Sequence, residues 1–359
     1  MENRMKEFEG KRILITGGTG SLGKVLVKRL LGEEMGRPEE VIVFSRDEAK
    51  QHFMRLSYQH VRVATDEVIY RNHGRLKFQI GDIRDYASVS RALSGVDIVF
   101  SAAALKQVPT CEYFPYEAVR TNIEGPQNVV RAIHEQGRPV RTLVGISTDK
   151  AVKPVNVMGM TKAIQERVYQ AANLLIPDTR TICVRYGNVM ASRGSVIPLF
   201  HEQIRKGGPL TLTDPAMTRF LLTLNDAVDV IFAAVRDARS GETYIPRIPS
   251  ARVIDVANAL IGDRKITISV TGVRPGEKVH EVLISEEEAH RTHDRGKYYA
   301  ISSILPEINK SETPAQAALV GEYSSGAELL NVSEVRAMLE KNHLLLENVE
   351  SETDGELLK

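Results

Sequence analysis

Cysteine is almost absent: Cys111 and Cys183 are the two in 359 residues. They supply neither a metal-ligand spacing nor a disulfide framework, which excludes a metal centre built on thiolates and fits a reducing, cytoplasmic setting. Net charge is almost absent too, because 47 basic residues oppose 46 acidic ones. That balance gives no global field for nucleic acid or an anionic membrane, so any anion site must be local. No apolar run approaches the roughly 18 residues a membrane span needs. The charged stretch Met1–Arg12 leads into a short strand pattern and does not read as a secretory leader. Internal repeats and low-complexity tracts are lacking as well. What is present is an ordinary globular composition, 42% hydrophobic and 26% charged, in a chain long enough for one large domain or two sharing an interface.

The first half alternates short apolar runs with amphipathic stretches. The runs are Arg12–Thr16, Glu40–Phe44, Leu76–Ile80, Asp97–Ser101, Arg141–Ile146 and Arg180–Tyr186, most of them rich in Val, Ile and Phe. Strands buried on both faces read this way. Helical patterns lie between them, among them Leu22–Leu31, Tyr86–Leu93, Glu117–Glu135 and Gly159–Leu174. Strand–helix alternation predicts an α/β fold with a doubly wound parallel sheet of the Rossmann type. After Tyr186 the rhythm changes to Gly-, Pro- and Ser-rich loops around a helix at Val196–Lys206, followed by a helix at Asn225–Ala238. The expected division is a dinucleotide domain at 1–186 with about 220–243, a smaller discontinuous lobe at 187–219 and 244–306, and a C-terminal extension at 307–359 with one helix, Val332–Asn342.

The segment Thr16–Gly23, TGGTGSLG, directly follows the first strand and opens a helix. Its spaced glycines, Gly17, Gly20 and Gly23, permit a tight turn, backbone approach to a pyrophosphate and close helix–strand contact. Thr16, Thr19, Ser21 and Leu22 complete this predicted cofactor turn, and the helix N-terminus offers free N–H groups to phosphate. The second strand ends in Ser45-Arg46-Asp47, with Lys50 one turn on. Ser45, Arg46 and Lys50 suit a ribose 2′-phosphate, whereas Asp47 can cap the next helix, so NADP is favoured over NAD. Asp82 and Ile83 after the third strand are expected to flank the adenine. The small Ala102, Ala103 and Ala104 after the fourth let backbone lie against the nicotinamide ribose. All sit at the carboxyl ends of successive strands, where open α/β sheets bind ligands.

The segments TGGTGSLG, FSRDEAKQ, GDIRD, AAALKQVPTCEYFPYEAVRTNIEG, STDKAVKPVNVMGMTKA, RYGNVMASRGSVIPLF, TDPAMTRF and GVRPGEK run from residue 12 to about residue 280. Together they resemble the extended short-chain dehydrogenase/reductases. Within that superfamily they are similar to the bacterial UDP-N-acetylglucosamine 4,6-dehydratases, most of all the soluble capsule-type members that invert C5. The resemblance implies an NADP-dependent lyase that acts on UDP-N-acetylglucosamine in surface-glycan synthesis and works as a homo-oligomer. In such an enzyme C4 is oxidised, the C5 proton and the C6 hydroxyl are lost, and the hydride returns to C6.

On this reading Asp149 is the candidate acid toward the C6 hydroxyl and Lys150 the candidate for C5 proton transfer, a task that needs a neutral amine. Thr148 can hydrogen-bond the C4 oxygen. Most of the superfamily opens the next helix with Y-x-x-x-K. Here Lys162 is present, but Met158 stands at the Tyr position, and a thioether takes no proton. The resembled dehydratases also carry Met there. Thr148 relaying to water or to Asp149, and Lys162 acting directly, remain as ways to deprotonate the C4 hydroxyl. Lys106, Tyr186 and Asn188 are expected at the cofactor, with Lys106 and Asn188 reaching the sugar nucleotide as well. Arg193, Thr211, Thr213, Arg219, Arg274 and Glu277 form the predicted polar set for the diphosphate, ribose and uracil, and Val196 and Met217 its apolar walls. Asn122 reads as structural.

Overall fold

The computed structural model describes residues 6–59, 74–137, 140–190, 195–309 and 317–351. Its first half runs β1 (Arg12–Thr16), α1 (Ser21–Leu31), β2 (Glu40–Ser45), α2 (Glu48–Gln59), β3 (Leu76–Ile80), α3 (Tyr86–Ala92), β4 (Ile98–Ser101), α4 (Val108–Tyr113), α5 (Pro115–Val119), α6 (Gly125–Glu135), β5 (Thr142–Thr148), α7 (Val157–Leu175) and β6 (Arg180–Tyr186). Successive strand residues point to opposite sides. Ile13 and Ile15, Val41 and Val43, and Ile98 and Phe100 enter one core with α1. Leu14, Ile42, Phe44 and Val99 enter a second with α3, α6 and α7. These strands are apolar on both faces because both faces are covered, as doubly wound parallel sheets require.

The second half contributes α8 (Val196–Arg205), β7 (Leu210–Leu212), β8 (Thr218–Phe220), α9 (Leu224–Asp237), β9 (Thr243–Pro246), β10 (Ser250–Arg252), α10 (Val253–Ile261), β11 (Ile268–Val270), β12 (Val282–Ile284), α11 (Glu286–Ala289), β13 (Thr292–Asp294), β14 (Tyr298–Ile301), β15 (Tyr323–Ser324) and α12 (Val332–Lys341). The large sheet has nine strands in the order β13-β14-β9-β6-β5-β4-β1-β2-β3. β9 pairs parallel to β6, while β14 and β13 add on antiparallel. The stretch 244–306, expected to build the smaller lobe, therefore gives most of β9 and all of β13 and β14 to the sheet. Their buried apolar residues cover what would otherwise be the open edge of β6. The lobe itself is a separate core in which Ile197 and Phe200 of α8, Leu210, Met217, Leu260 and Val335 meet. Val335 and Leu339 bring the C-terminal helix into that core, so the extension is packed into the lobe.

The single helix expected over Glu117–Glu135 is interrupted. Proline opens both α5 and α6, and a π-helical turn at Arg120–Glu124 joins them. The extra residue per turn rotates Asn122 fully inward. There its amide bonds Leu105 N and Leu105 O at 2.8 and 3.0 Å and Thr161 Oγ1 at 3.0 Å, the structural role read from sequence. Among the described residues no helix is long and apolar enough to cross a membrane.

A buried guanidinium joins the sheet to the lobe. Arg185 of β6 reaches Glu166 of α7 at 2.6 Å and Glu288 of α11 at 2.8 Å, and also donates to Leu283 O of β12 at 2.8 Å. Burial opposes the charge on Glu288, but Arg185 and Arg291 hold its pKa down at about 2, against an ordinary 4.5. A carboxylate depressed in this way stabilises the fold fully above about pH 4.5 and progressively less as pH falls toward 2. We expect Arg185→Met to leave two buried carboxylates unpaired and to cost about 3–5 kcal/mol at neutral pH. Urea unfolding checks this: the variant should lose stability at pH 7 and show a smaller further loss on acidification than the wild type.

Candidate functional site

In the sheet order β1 lies between β2 and β4, so the chain reverses direction there and leaves a crevice at the strands' carboxyl ends. Gly17 sits in that crevice at φ 68. A Cβ on it would lie 2.8 Å from Ala103 Cα and 2.9 Å from Ala103 N. The glycine and the alanines are thus two sides of one close contact between the turn and the end of β4. A Cβ on Gly23 would lie 2.5 Å from the Gly18 backbone, which closes the turn against α1. That helix begins at Gly20 with no side-chain cap and no acidic residue in its first turn. Its free N–H groups and positive dipole end therefore remain available for an anion, which is what a dinucleotide pyrophosphate needs. Thr16, expected among the cofactor contacts, faces away. Its Oγ1 accepts from Ala102 N and Ala103 N at 3.1 and 3.2 Å and ties β1 to β4.

At the end of β2 the Ser45 hydroxyl lies 3.2 Å from both Thr19 Oγ1 and Gln51 Nε2. Asp47 caps α2 by accepting from Lys50 N at 3.0 Å and pairs with the Lys50 ammonium. Lys50 is accordingly paired with the residue that caps its own helix. Arg46 is different: its side chain is 58% exposed and its carboxylate neighbour, Asp82, is 3.9 Å away. Asp82 is chelated by Arg84 at 2.6 Å. Burial opposes its charge, yet Arg84 and Arg46 keep its pKa below the ordinary carboxylate value. Arg46 is left as a cation at the margin of the crevice with only a loose partner.

A cleft of ≈ 850 Å³ runs from this turn past the ends of β4, β5 and β6 to the Arg274–Glu277 loop. Thr148 and Lys150 line it at the end of β5, whereas Asp149 is fully buried behind them. Thr148 Oγ1 donates to Asp149 Oδ1 at 2.8 Å. Lys150 Nζ lies 3.0 Å from Asp149 Oδ1, 2.9 Å from Asn188 Oδ1 and 3.5 Å from Glu281 Oε1. Asp149 Oδ2 and Glu281 Oε2 are buried without a hydrogen-bond partner. Gly187 stays clear of this group, since a Cβ on it would sit 3.5 Å from Asp149 Oδ2 and 2.6 Å from Phe220 Cβ. Burial opposes the charge on Lys150, but Asp149 and Glu281 outweigh it and hold the ammonium above its usual range. The neutral amine expected of Lys150 is therefore not its resting form.

Lys162 shows the opposite balance. Its Nζ donates to Ile146 O and Gln165 Oε1, both uncharged, and burial pushes its pKa down to about 8. Met158 lines the cleft one turn earlier while packing on Cys111 and Ala118.

Of the remaining predicted residues, Lys106, Tyr186, Asn188, Arg274 and Glu277 line the same cleft. Val196, Thr211, Thr213, Met217 and Arg219 do not. The Thr211 amide and hydroxyl are both taken by the Gln203 side chain, at 3.1 and 2.7 Å. Met217 is a core residue of the lobe and Val196 packs against that core. Arg219 donates to Thr218 O and Val279 O at 2.7 and 3.2 Å and faces Glu281 at 3.9 Å. Arg193 lies outside the described residues. The polar set thus divides: Arg274 and Glu277 face the cleft, and Arg219 backs the buried carboxylates instead. Glu281 was missed in the sequence. Its one signal was a carboxylate placed directly before the apolar run Val282–Ile284, where the chain turns inward.

Several known proteins are similar to this chain. A family profile described as polysaccharide biosynthesis protein matches residues 13–303. A UDP-glucose 4-epimerase from Rickettsia typhi is 42% identical over 342 residues, spanning 92% of this chain and 96% of its own. The structure of Pen from Bacillus thuringiensis superposes with a TM-score of 0.83 at 36% identity, covering 94% of this chain and 99% of that one. DesIV, a dTDP-glucose 4,6-dehydratase from Streptomyces venezuelae solved with NAD bound, shares the fold at a TM-score of 0.63 and 20% identity, over 94% of this chain and 99% of its own. The chain belongs to the polysaccharide biosynthesis protein family, within the extended short-chain dehydrogenase/reductase class.

The Gly17 contact gives a direct test of the turn. Gly17→Ala forces a Cβ into the Ala103 backbone at a φ that alanine resists. Binding of a nicotinamide dinucleotide, NAD(H) or NADP(H), followed by calorimetry, should weaken at least about tenfold, the factor for each 1.4 kcal/mol. The melting temperature should change much less.

Proposed function

We propose that this protein is an NADP-dependent 4,6-dehydratase of UDP-N-acetylglucosamine that inverts C5 and yields a UDP-2-acetamido-2,6-dideoxy-4-hexulose for surface polysaccharide synthesis. The observation that carries the reading is the Asp149–Lys150 pair, with Asp149 buried behind the cleft and Lys150 and Thr148 lining it. Oxidation and reduction at C4 alone need one group to take and return a hydroxyl proton. Elimination across C5 and C6 needs in addition a base at C5 and an acid at C6; Lys150 is assigned the first task and the protonated Asp149 the second.

NADP, when bound, supplies the hydride acceptor for C4 and the donor for C6. The uncapped start of α1, the Gly17 contact and the exposed Arg46 fit its phosphates, including a 2′-phosphate. The protein's own part is proton handling. Thr148, lining the cleft, would take the C4 hydroxyl proton and pass it to Asp149, 2.8 Å behind. Asp149 can return that proton through Thr148 to the departing C6 hydroxyl, so one carboxyl serves both steps. This arrangement dispenses with a tyrosine at position 158. Lys150, the cation nearest the cleft in this group, is assigned to the C5 proton and must shed its own proton first. Arg274, with Lys106 and Asn188, supplies donors for the diphosphate.

A second reading is 4-epimerisation of a UDP-sugar, favoured by the 42% identity to the Rickettsia typhi protein so named. Proton NMR of the pure protein with NADP and UDP-N-acetylglucosamine separates the two: dehydration gives a new C6 methyl signal, epimerisation a galacto product. We expect the methyl. Lys150→Ala should still oxidise C4, so NADPH absorbance builds up while product does not. Asp149→Asn should slow elimination by roughly 10²–10⁴-fold, the usual weight of general acid catalysis. For the cofactor, Arg46→Ala should remove most of the preference for NADP over NAD. Calorimetric loss of about ten- to a hundredfold in NADP affinity, with NAD unchanged, is expected for one charge-assisted contact. Equal losses for both cofactors would assign Arg46 to the fold.

A further inference from the structure

We infer that Glu281 is a positioning residue for proton transfer at the sugar: it takes up the ammonium proton of Lys150 and so frees the amine to act as base. The inference rests on the dehydration reading above and names the step that reading leaves open.

The geometry points to it. Glu281 reaches Lys150 from the lobe, while Asp149 reaches it from β5 itself. Its Oε1 stands 3.5 Å from Lys150 Nζ, and its Oε2 is buried with no hydrogen-bond partner. A buried carboxylate oxygen left without a donor is costly to keep charged, and protonation relieves that cost. The charged groups around Glu281 are Asp149, Lys150, Arg219 and Lys278. Burial and Asp149 raise its pKa above the ordinary value, with Lys150, Arg219 and Lys278 opposing. The backbone that carries this carboxyl is anchored. Glu281 N donates to Ser325 Oγ at 2.9 Å, Ser325 Oγ lies 2.7 Å from Thr218 Oγ1, and that hydroxyl lies 2.8 Å from His280 Nδ1. A carboxylate with no role beyond a salt bridge would be expected to satisfy both oxygens.

The step balances within the group. A Lys150 N–H bond breaks, an O–H bond forms on Glu281, and the electron pair stays on nitrogen. The neutral amine then forms an N–H bond with the C5 proton. The pair left at C5 is delocalised into the 4-ketone and expels the C6 hydroxyl, which leaves as water with the proton returned from Asp149. Glu281 and Lys150 now hold one proton more than at rest. That proton is released to C5 or to solvent, and the pair is reset.

The test uses the full chain with NADP and UDP-N-acetylglucosamine in deuterated water. It compares wild type, Glu281→Gln and Glu281→Asp for NADPH formation, deuterium at C5 and C6 methyl product. Glu281→Gln should keep KM and C4 oxidation within about threefold while deuterium entry at C5 falls by roughly 10²-fold or more, the scale of a lost acid–base group. Glu281→Asp should restore part of that loss. Undiminished C5 exchange in Glu281→Gln overturns the proposal. So does joint loss of C4 oxidation and C5 exchange in both variants with a lowered melting temperature, which would make Glu281 a packing residue. A wild type that gives epimer and no C6 methyl overturns the dehydration reading instead, and this step with it.

Discussion

The contacts of Arg185 hold the cleft in shape. From β6 its guanidinium grips Glu166 of α7 and Glu288 of α11, and Glu166 in turn accepts from Ser147 at the end of β5. The strand that ends in Thr148, the helix that carries Met158 and Lys162, and the lobe segment that carries Glu281 are thereby referred to one buried cation. Buried ion pairs seldom add net stability over apolar packing, but they tolerate few alternative geometries. That is the property a site made from three separate elements requires.

Two lysines twelve positions apart show how local composition sets protonation inside that frame. Lys150 and Lys162 are both withdrawn from water. Lys162 bonds a carbonyl and an amide oxygen, and burial outweighs the opposing charge of Glu166, so its proton is loosened. Lys150 meets two carboxylates, and their field overcomes the same penalty. Desolvation and nearby charge act on both, and the sign of the sum follows from which acceptors the fold brings within about 4 Å.

Much of the fold was legible because it depends on neighbours in sequence. Six of the sheet strands, the glycine turn and the helices flanking it carry their own periodicity, whereas the contact of Gly17 with Ala103 after β4 shows only in the structure. The long stretch after β4 was misread as one helix, because a periodic pattern does not reveal where proline and a π-helical turn rotate the chain. Legibility also failed where contacts cross the molecule. Arg219 lies in a motif that suggests phosphate recognition, yet its guanidinium is committed to carbonyls of its own lobe. Met217 and Thr211, beside it in sequence, are taken up by the lobe core and by Gln203. Glu281 carried almost no signal, since its importance comes from Lys150, whose position is 131 residues earlier in the chain.

The hydroxyl of Ser325 that fixes the Glu281 amide carries a consequence in time. Ribosomes deliver the chain from its N-terminus, so the glycine turn, the β4 edge and the Thr148–Lys150 segment all emerge while the lobe is still unmade. The glycine turn and the Thr148–Lys150 segment are then made well before Ser325, whose hydroxyl accepts from the Glu281 amide. Some 135 residues of translation separate Met190, just past the strands that line the cleft, from Ser325, which fixes the Glu281 amide.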